Sequence, residues 1–256
     1  VNNIKIKGFH IIEGFFEKNF CEKIKELSIN LNIKQNQTFN EIKLKSIGED
    51  NQIRLPMVHN KLFFEIINST KFQKILKKLF SDTGSFYVLN QQNIILNKPQ
   101  KSHNQSKWHR DFPYFSGIMP FGTAFSIIIT LSEFNSNNGG TKILPYSHNM
   151  EILPSWDFIK NESFSIDCKV GSLIIFDSQL FHCAGQNKTD DYRVAINNVF
   201  TNPLLRQQII IPKAIKRKTW TKDLNFKEKQ FLGFNSMSPD SDKELKLNRL
   251  DKEAKI

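Results

Sequence analysis

The chain has 256 residues, of which 39% are hydrophobic and 24% are charged, and these proportions exclude a disordered chain or a fibre. The longest apolar run, around Phe125–Leu131, is far shorter than the roughly 20 residues of a membrane helix, and no signal peptide is recognisable. Three widely spaced cysteines, Cys21, Cys168 and Cys183, fit neither a disulfide framework nor a zinc pattern. We therefore expect a cytoplasmic protein without a membrane anchor.

The net charge of +11 is concentrated towards the two ends of the chain. Residues 1–80 carry 14 basic and 8 acidic groups, residues 201–256 carry 13 and 7, and residues 81–200 carry 9 and 10. A diffuse excess of lysine is typical of a solvated surface, so we do not expect nucleic-acid binding. We favour the hypothesis that the basic excess attracts a small anionic substrate. A remote alternative is that the protein is a basic adaptor for an anionic polymer.

The first eighty residues predict one strand followed by helices. Apolar and polar residues alternate from Ile4 to Ile11, which indicates a strand. Apolar residues then recur at helical spacing in Glu17–Leu31, and two more short helices are expected at about Lys61–Asn68 and Lys71–Phe80. The turn residues Ser81–Gly84 end this helical part.

From Phe86 to Phe200 the chain reads as consecutive short strands that are rich in β-branched and aromatic residues and separated by turns. The predicted strands are Phe86–Asn97, Thr123–Glu133, Thr141–Pro145, Phe164–Val170, Ser172–Phe176 and Tyr192–Phe200. Strands without intervening helices favour an antiparallel sandwich or barrel. The tail becomes helical again and ends in a charged helix near Asp242–Ala254.

We find no repeat and no flexible linker, so residues 1–256 are interpreted as one domain. Residues 1–83 supply the first strand and supporting helices, 84–200 the β-core, and 201–256 a helical extension. The predicted fold class is mainly β with flanking helices (α+β).

One of the six histidines has an acidic residue two positions later, namely His109, which precedes Asp111. On an extended chain, residues i and i+2 project to the same face, about 6–7 Å apart at Cα, so one imidazole and one carboxylate could bind the same ion. The pair alone is weak support, since 6 histidines and 25 acidic residues in 256 positions give about 0.6 such pairs by chance. A surface salt bridge is the alternative interpretation.

A second histidine and an arginine strengthen the case. His182 follows the apolar strand at Gly171–Phe176, and Arg193 comes after a polar turn. Two imidazoles and one carboxylate form the facial triad of non-haem Fe(II) oxygenases, which leaves positions for a 2-oxo acid and O₂. An arginine nearby would bind the distal carboxylate of that acid through two parallel hydrogen bonds. The alternatives are a core histidine and an arginine that pairs with Asp190 or Asp191.

These motifs make the chain resemble the phytanoyl-CoA dioxygenase-like (PhyH) family of Fe(II)/2-oxoglutarate-dependent oxygenases. The resemblance is carried by the stretches Trp108–Tyr114 and Asn138–His148, and by Phe181-His182 with Arg193 eleven residues after the histidine. It implies a core that is a double-stranded β-helix, a jelly roll of cupin-like type.

The resemblance also implies a set of site residues. His109, Asp111 and His182 would bind iron, and Arg193 would anchor 2-oxoglutarate. Gln92 matches a position that touches the co-substrate in some relatives. Ala184 stands where the family often has a polar residue, and an aliphatic residue near Ile128 replaces a tryptophan of some relatives.

The reaction implied is oxidation of an unactivated C–H bond with O₂, with release of succinate and CO₂. Halogenating relatives have a small residue in place of the acid, so Asp111 favours hydroxylation or desaturation. The substrate would be a small molecule such as a sugar, a nucleotide-linked compound or a natural-product precursor. A catalytically silent jelly-roll metal-binding, ligand-binding or scaffold protein is the alternative.

Several neighbouring residues are candidates for contact with the substrate. They are His103, Lys101 and Lys107 before the metal motif, Tyr114 and Phe115 after it, and Asn197, which alternates onto the same strand face as Arg193. Phe112 and Phe181 are expected as further walls of the pocket. His148, His10 and His59 are interpreted as structural.

Overall fold

The computed structural model describes residues 1–81, 86–99, 105–115 and 117–253. In these ranges the helices are α1 (Asn2–Lys7), α2 (Lys18–Phe39), α3 (Glu41–Ser46), α4 (Leu62–Asn68), α5 (Thr70–Leu79), α6 (Trp156–Glu162), α7 (Ile211–Ile215), α8 (Phe226–Phe231) and α9 (Asp242–Glu253). The strands are β1 (Phe9–Ile12), β2 (Gln52–Arg54), β3 (Val88–Asn97), β4 (Ala124–Thr130), β5 (Thr141–Ile143), β6 (Phe164–Ser165), β7 (Leu173–Asp177), β8 (His182–Ala184) and β9 (Arg193–Thr201).

The strands form two antiparallel sheets. The major sheet has six strands in the order β1-β7-β4-β9-β3-β2, and the minor sheet has three in the order β6-β5-β8. Neighbours in the major sheet are distant in sequence, as the crossovers of a jelly roll require. The fold is therefore α+β with a jelly-roll core, as predicted.

Side chains on the major sheet alternate between two cores. Ile127, Ile129 and Ile196 pack with the helices, while Ile128 and Ala195 face the minor sheet. Because both faces of the central strands are buried, β4 and β7 are mostly apolar, whereas β9, also buried throughout, includes Arg193, Asn197 and Asn198. Polar side chains that point from the major sheet towards the minor sheet are therefore held by strands that are packed on both faces.

The first predicted strand is partly wrong. Residues 2–7 form helix α1, and only Phe9–Ile12 is a strand, paired with β7. Gly8 ends the helix in a left-handed conformation (φ 88°), where its N–H donates to the carbonyl oxygen of Ile4. Ile4 is buried but Ile6 is 62% exposed, so the apparent alternation does not reflect a strand face.

The predicted run of strands contains a helix that sequence patterns missed. Helix α6 lies between β5 and β6, and its N-cap Ser155 accepts a hydrogen bond from the N–H of Phe158 at 3.4 Å. Strand β6 is also limited to Phe164–Ser165, and the short strands β2 and β8 were not predicted. The other predicted helices and strands are present with shifted ends, and α2 extends to Phe39.

Candidate metal centre

His109 and His182 are brought together by backbone pairing. The N–H of each residue donates to the carbonyl oxygen of the other at 3.0 Å, an antiparallel bridge that adds the segment before His109 to the edge of the minor sheet. The two imidazole centroids consequently lie 4.4 Å apart. With Asp111 they form a group whose potential ligand atoms all lie within 4.8 Å of one another.

Backbone carbonyls orient both imidazoles. Nδ1 of His109 lies 2.8 Å from the carbonyl oxygen of Lys107, and Nδ1 of His182 lies 2.9 Å from that of Leu180. Because a carbonyl only accepts, the neutral form of each ring carries its proton on Nδ1 and has the lone pair on Nε2. This arrangement is usual for metal-binding histidines.

The carboxylate of Asp111 is held by a neighbouring strand. Its Oδ2 accepts a hydrogen bond from Oγ of Ser126 on β4, and that hydroxyl lies 2.8 Å from Oγ of Ser178. The N–H of Asp111 donates to the carbonyl oxygen of Ser178 at 3.2 Å. Oδ1 of Asp111 faces Nε2 of His182 at 3.7 Å. One carboxylate oxygen is thus tied to the protein and the other points to the imidazole.

Burial keeps His182 neutral. Desolvation and the nearby His109 lower the pKa of His182 to about 4, and Asp111 only partly opposes them. A neutral imidazole is the form that binds a metal ion, so the site is prepared to take a cation at physiological pH.

Arg193 lies in the same cavity and has no acidic partner among the described residues. Its side chain is 3% exposed, Nη2 donates to the carbonyl oxygen of Gly139 at 3.0 Å, and the guanidinium lies 4.6 Å above the ring of Phe134. Nε has no hydrogen-bond partner. Burial lowers the pKa of Arg193 to about 10. An arginine buried without a carboxylate can pair with an anionic ligand.

The cavity between the two sheets brings together His109, Asp111, His182, Arg193 and Asn197. Oδ1 of Asn197 is buried without a hydrogen-bond partner. Apolar walls are contributed by Ile95, Ile128 and Ala195, and Ala184 lies beside them.

Gln92 is not in this cavity, which corrects its predicted contact with a co-substrate. Its Nε2 donates to the carbonyl oxygen of Phe63 at 2.9 Å and to Oδ1 of Asn198 at 3.0 Å. It shares its strand face with Ile94 and Leu96, which pack against the helices. The opposite face of β3 borders the cavity.

The other predicted residues are scattered. Tyr114 is 78% exposed and Phe115 is 41% exposed, and neither lines the cavity. Phe112 packs with Met119 and Val199.

Phe181 likewise lies outside the cavity, in a core with Leu144 and Ile159. His148 contacts the first helix, with Nε2 3.1 Å from the carbonyl oxygen of Lys5. His103 and Lys101 lie outside the described residues.

Sequence patterns missed Ser126, Thr141 and Gln105. Thr141 and Gln105 line the cavity, and Ser126 holds Asp111. Ser126 could have been noticed because it is polar in the apolar run Phe125–Ile129, and a buried polar residue in such a run needs a partner.

Comparisons with known proteins identify the family of the chain. The phytanoyl-CoA dioxygenase (PhyH) family matches residues 5–195, and the chain therefore belongs to this family. Uncharacterized proteins of Mycobacterium bovis and Mycobacterium tuberculosis are 28% identical over 176 residues, which cover 68% of this chain and 63% of each relative. The dioxygenase sphC of Aspergillus fumigatus is 24% identical over 191 residues, covering 71% of this chain and 51% of that protein. The chain thus spans less than two thirds of the length of these curated relatives.

Solved structures share the fold. EctD from S. alaskensis with bound Fe superposes with a TM-score of 0.63 at 17% identity, covering 81% of this chain and 77% of EctD. EctD with 2-oxoglutarate and 5-hydroxyectoine superposes with a TM-score of 0.66, also at 17% identity, covering 81% and 76%. In the ranges described here, no helix has the length and apolar character needed to cross a membrane.

Proposed function

We propose that this chain is an Fe(II)- and 2-oxoglutarate-dependent dioxygenase that oxidises an unactivated C–H bond of a small organic molecule and releases succinate and CO₂. The observation that carries the proposal is the placement of His109, Asp111 and His182 in one cavity with the buried Arg193. Membership of the PhyH family and the dioxygenase names of several relatives support it.

The residues fit a ferrous ion. Two neutral imidazole nitrogens and one carboxylate oxygen are the ligand set of non-haem Fe(II) oxygenases, and the three atoms already lie close together. Carbonyl oxygens fix both rings, and Ser126 fixes the carboxylate, so the protein supplies the supporting contacts that metal ligands need.

The residues also fit a dicarboxylate. The guanidinium of Arg193 can pair with the distal carboxylate of 2-oxoglutarate, which would neutralise its buried charge. The ring of Phe134 and the carbonyl oxygen of Gly139 hold the guanidinium in one orientation, so little entropy is lost when the anion binds.

Iron, when bound with 2-oxoglutarate and O₂, supplies the oxidising chemistry. The chain holds the reactants in position and shields them from solvent. Ile95, Ile128 and Ala195 exclude water from the cavity. Asn197 offers an unpartnered acceptor to a donor group of the substrate. Asp111 occupies the ligand position that a halide would need, so we favour hydroxylation or desaturation.

The substrate we propose is a small, polar metabolite with an anionic group. The basic ends of the chain support this charge, and EctD, a structural neighbour, was solved with the small molecule 5-hydroxyectoine. Removal of a phosphate from a confirmed phosphorylated substrate would then raise KM strongly, and an unchanged KM would disprove the anionic assignment. The three free, buried cysteines suit a reducing compartment, and we place the protein in the cytoplasm.

The first experiment is anaerobic loading of the purified protein with Fe(II) and 2-oxoglutarate, followed by visible spectroscopy. We expect the weak metal-to-ligand charge-transfer band of a chelated 2-oxo acid, its loss in Asp111→Ala, and a large rise in the 2-oxoglutarate needed for it in Arg193→Ala. Iron binding without the band would refute either the role of Arg193 or the presence of open positions on the metal. Absence of iron binding would refute the oxygenase and favour the scaffold alternative.

A further inference from the structure

A second concave site lies beside the metal cavity, on the opposite face of the minor sheet. It is a groove of about 770 Å³, a volume typical of small-molecule sites. Strand alternation turns Thr141 to the metal cavity and its neighbour Lys142 to the groove, while Cys183 and Ala184 of β8 line both. Lys142 pairs with Cys183 across β5 and β8, and helix α6 forms one wall.

The groove is positively charged without compensation. Lys107, Lys142 and Lys160 line it from three different segments, and no carboxylate lines it. None of the three ammonium groups forms an ion pair with an acidic side chain of the described ranges. Convergence of like charges in a concave surface produces a local positive potential that attracts anions.

The same groove exposes aromatic rings. Trp156, at the start of α6, is 68% exposed and Phe164 is 44% exposed. Trp108 is half-buried against Leu144 and Ile159. The faces of indole and phenyl rings that are exposed together in one concave site can stack on a planar ring.

We propose that this groove binds a small anion that carries a planar ring, of which a nucleotide is the chemical type. Ammonium groups would bind its phosphate or carboxylate, and the indole of Trp156 would stack on its ring. Cys183 and Ala184 of β8 border both sites, so the groove adjoins the metal cavity, but its three lysines and Trp156 do not line that cavity. The proposal does not depend on the proposed oxidation.

The test uses ADP as the probe, with binding to the intact protein followed by calorimetry and by quenching of tryptophan fluorescence. We expect saturable binding of one ADP per chain. Lys142→Glu and Trp156→Ala should each weaken it by roughly tenfold or more, since each removes a direct contact. Both residues are exposed, so the variants are expected to fold, and their unchanged Fe(II) binding would show that the metal cavity is intact.

The matched control is Lys45→Glu on α3, which makes the same change of net charge at an exposed lysine outside the groove. It should change ADP affinity by less than about twofold at 0.15 M salt, where distant charges are screened. Equal losses in Lys45→Glu and Lys142→Glu would mean diffuse attraction by net charge and would overturn the proposal.

Two simpler probes separate the ring from the anion. Pyrophosphate lacks the ring and adenosine lacks the charge, and we expect each to bind at least about tenfold more weakly than ADP. If pyrophosphate binds as tightly as ADP, the aromatic rings do not contribute to binding, and that part of the proposal is wrong. No saturable ADP binding, or binding of an acidic peptide in its place, would also overturn the proposal.

Discussion

Ser126 donates a hydrogen bond to Asp111 from the neighbouring strand β4, while the other oxygen of that carboxylate faces His182 at 3.7 Å. The contact ties a metal-ligand candidate to an interior strand of the major sheet, where β4 pairs with both β7 and β9. The orientation of Asp111 therefore depends on a residue that lies outside the metal motif.

Ser126→Ala should weaken Fe(II) binding by about 10–100-fold without unfolding the protein, because contacts that orient metal ligands contribute on this scale. An anaerobic Fe(II) titration measures the effect. Ser28→Ala is the control, since it removes a buried hydroxyl that donates to the carbonyl oxygen of Ile24 in α2. Equal iron affinity of wild type and Ser126→Ala would show that Asp111 does not need this support.

Arg193→Lys should retain iron but bind 2-oxoglutarate about 10–100-fold more weakly. Lysine keeps the charge but loses the planar pair of donors, and a hydrogen bond to a charged group contributes about 1.5–3 kcal/mol. The concentration of 2-oxoglutarate that gives half of the charge-transfer band is the measurement. Full affinity in Arg193→Lys would mean that only the charge matters.

Gly139→Ala should destabilise the protein more than Gly14→Ala does. Both glycines have left-handed φ values, 77° and 62°, but a Cβ at Gly139 would meet the carbonyl oxygen of Gly185 at 2.6 Å, whereas nothing lies within 4 Å at Gly14. We expect a loss of about 1 kcal/mol at Gly14 and clearly more at Gly139.

Urea denaturation of the two variants gives the difference in free energy of unfolding. Gly139→Ala should also weaken 2-oxoglutarate binding, because its carbonyl oxygen holds Arg193. Equal losses of stability in the two variants would show that the turn tolerates the added methyl group.

Asp177 should make the stability depend on pH. Burial raises the pKa of Asp177 to about 7, although Arg110 and the N–H of Gln179 oppose the shift. The folded state therefore binds a proton that the unfolded state releases near pH 4. This contribution to stability is complete below pH 4 and is lost as the pH rises through 7.

Asp177→Asn should abolish that loss, so the variant should gain stability relative to wild type between pH 5 and pH 8, on the order of a few kcal/mol. Urea midpoints at the two pH values measure it. Parallel pH profiles of wild type and Asp177→Asn would place the titration on another group.

Local patterns predicted the elements with strong periodicity and missed those without it. Helices α4 and α5 bury regularly spaced Phe63, Ile67 and Phe72, so their positions could be predicted. Helix α1 has six residues, too few to distinguish a helix from a strand, and its end depends on the conformation of Gly8.

Gln92 shows a different limit. Nine of the ten residues of β3 are buried, so hydropathy does not reveal which face points to the cavity. Only the register of β3 with β9, which pairs Asn93 with Asn197, places Asn197 on the cavity side and turns Gln92 to the helices.

The sequence by itself determined the chemistry that is available: two imidazoles, one carboxylate and one arginine at spacings that suit strands and turns. Tertiary structure decided which groups meet. Residues distant along the chain come into contact only when strands pair. Here the contacts depend on the register of β4 with β9 and on the backbone bridge of His109 with His182. Because register is fixed by burial on both faces of the sheet at once, it is a property of the whole fold and not of any local segment.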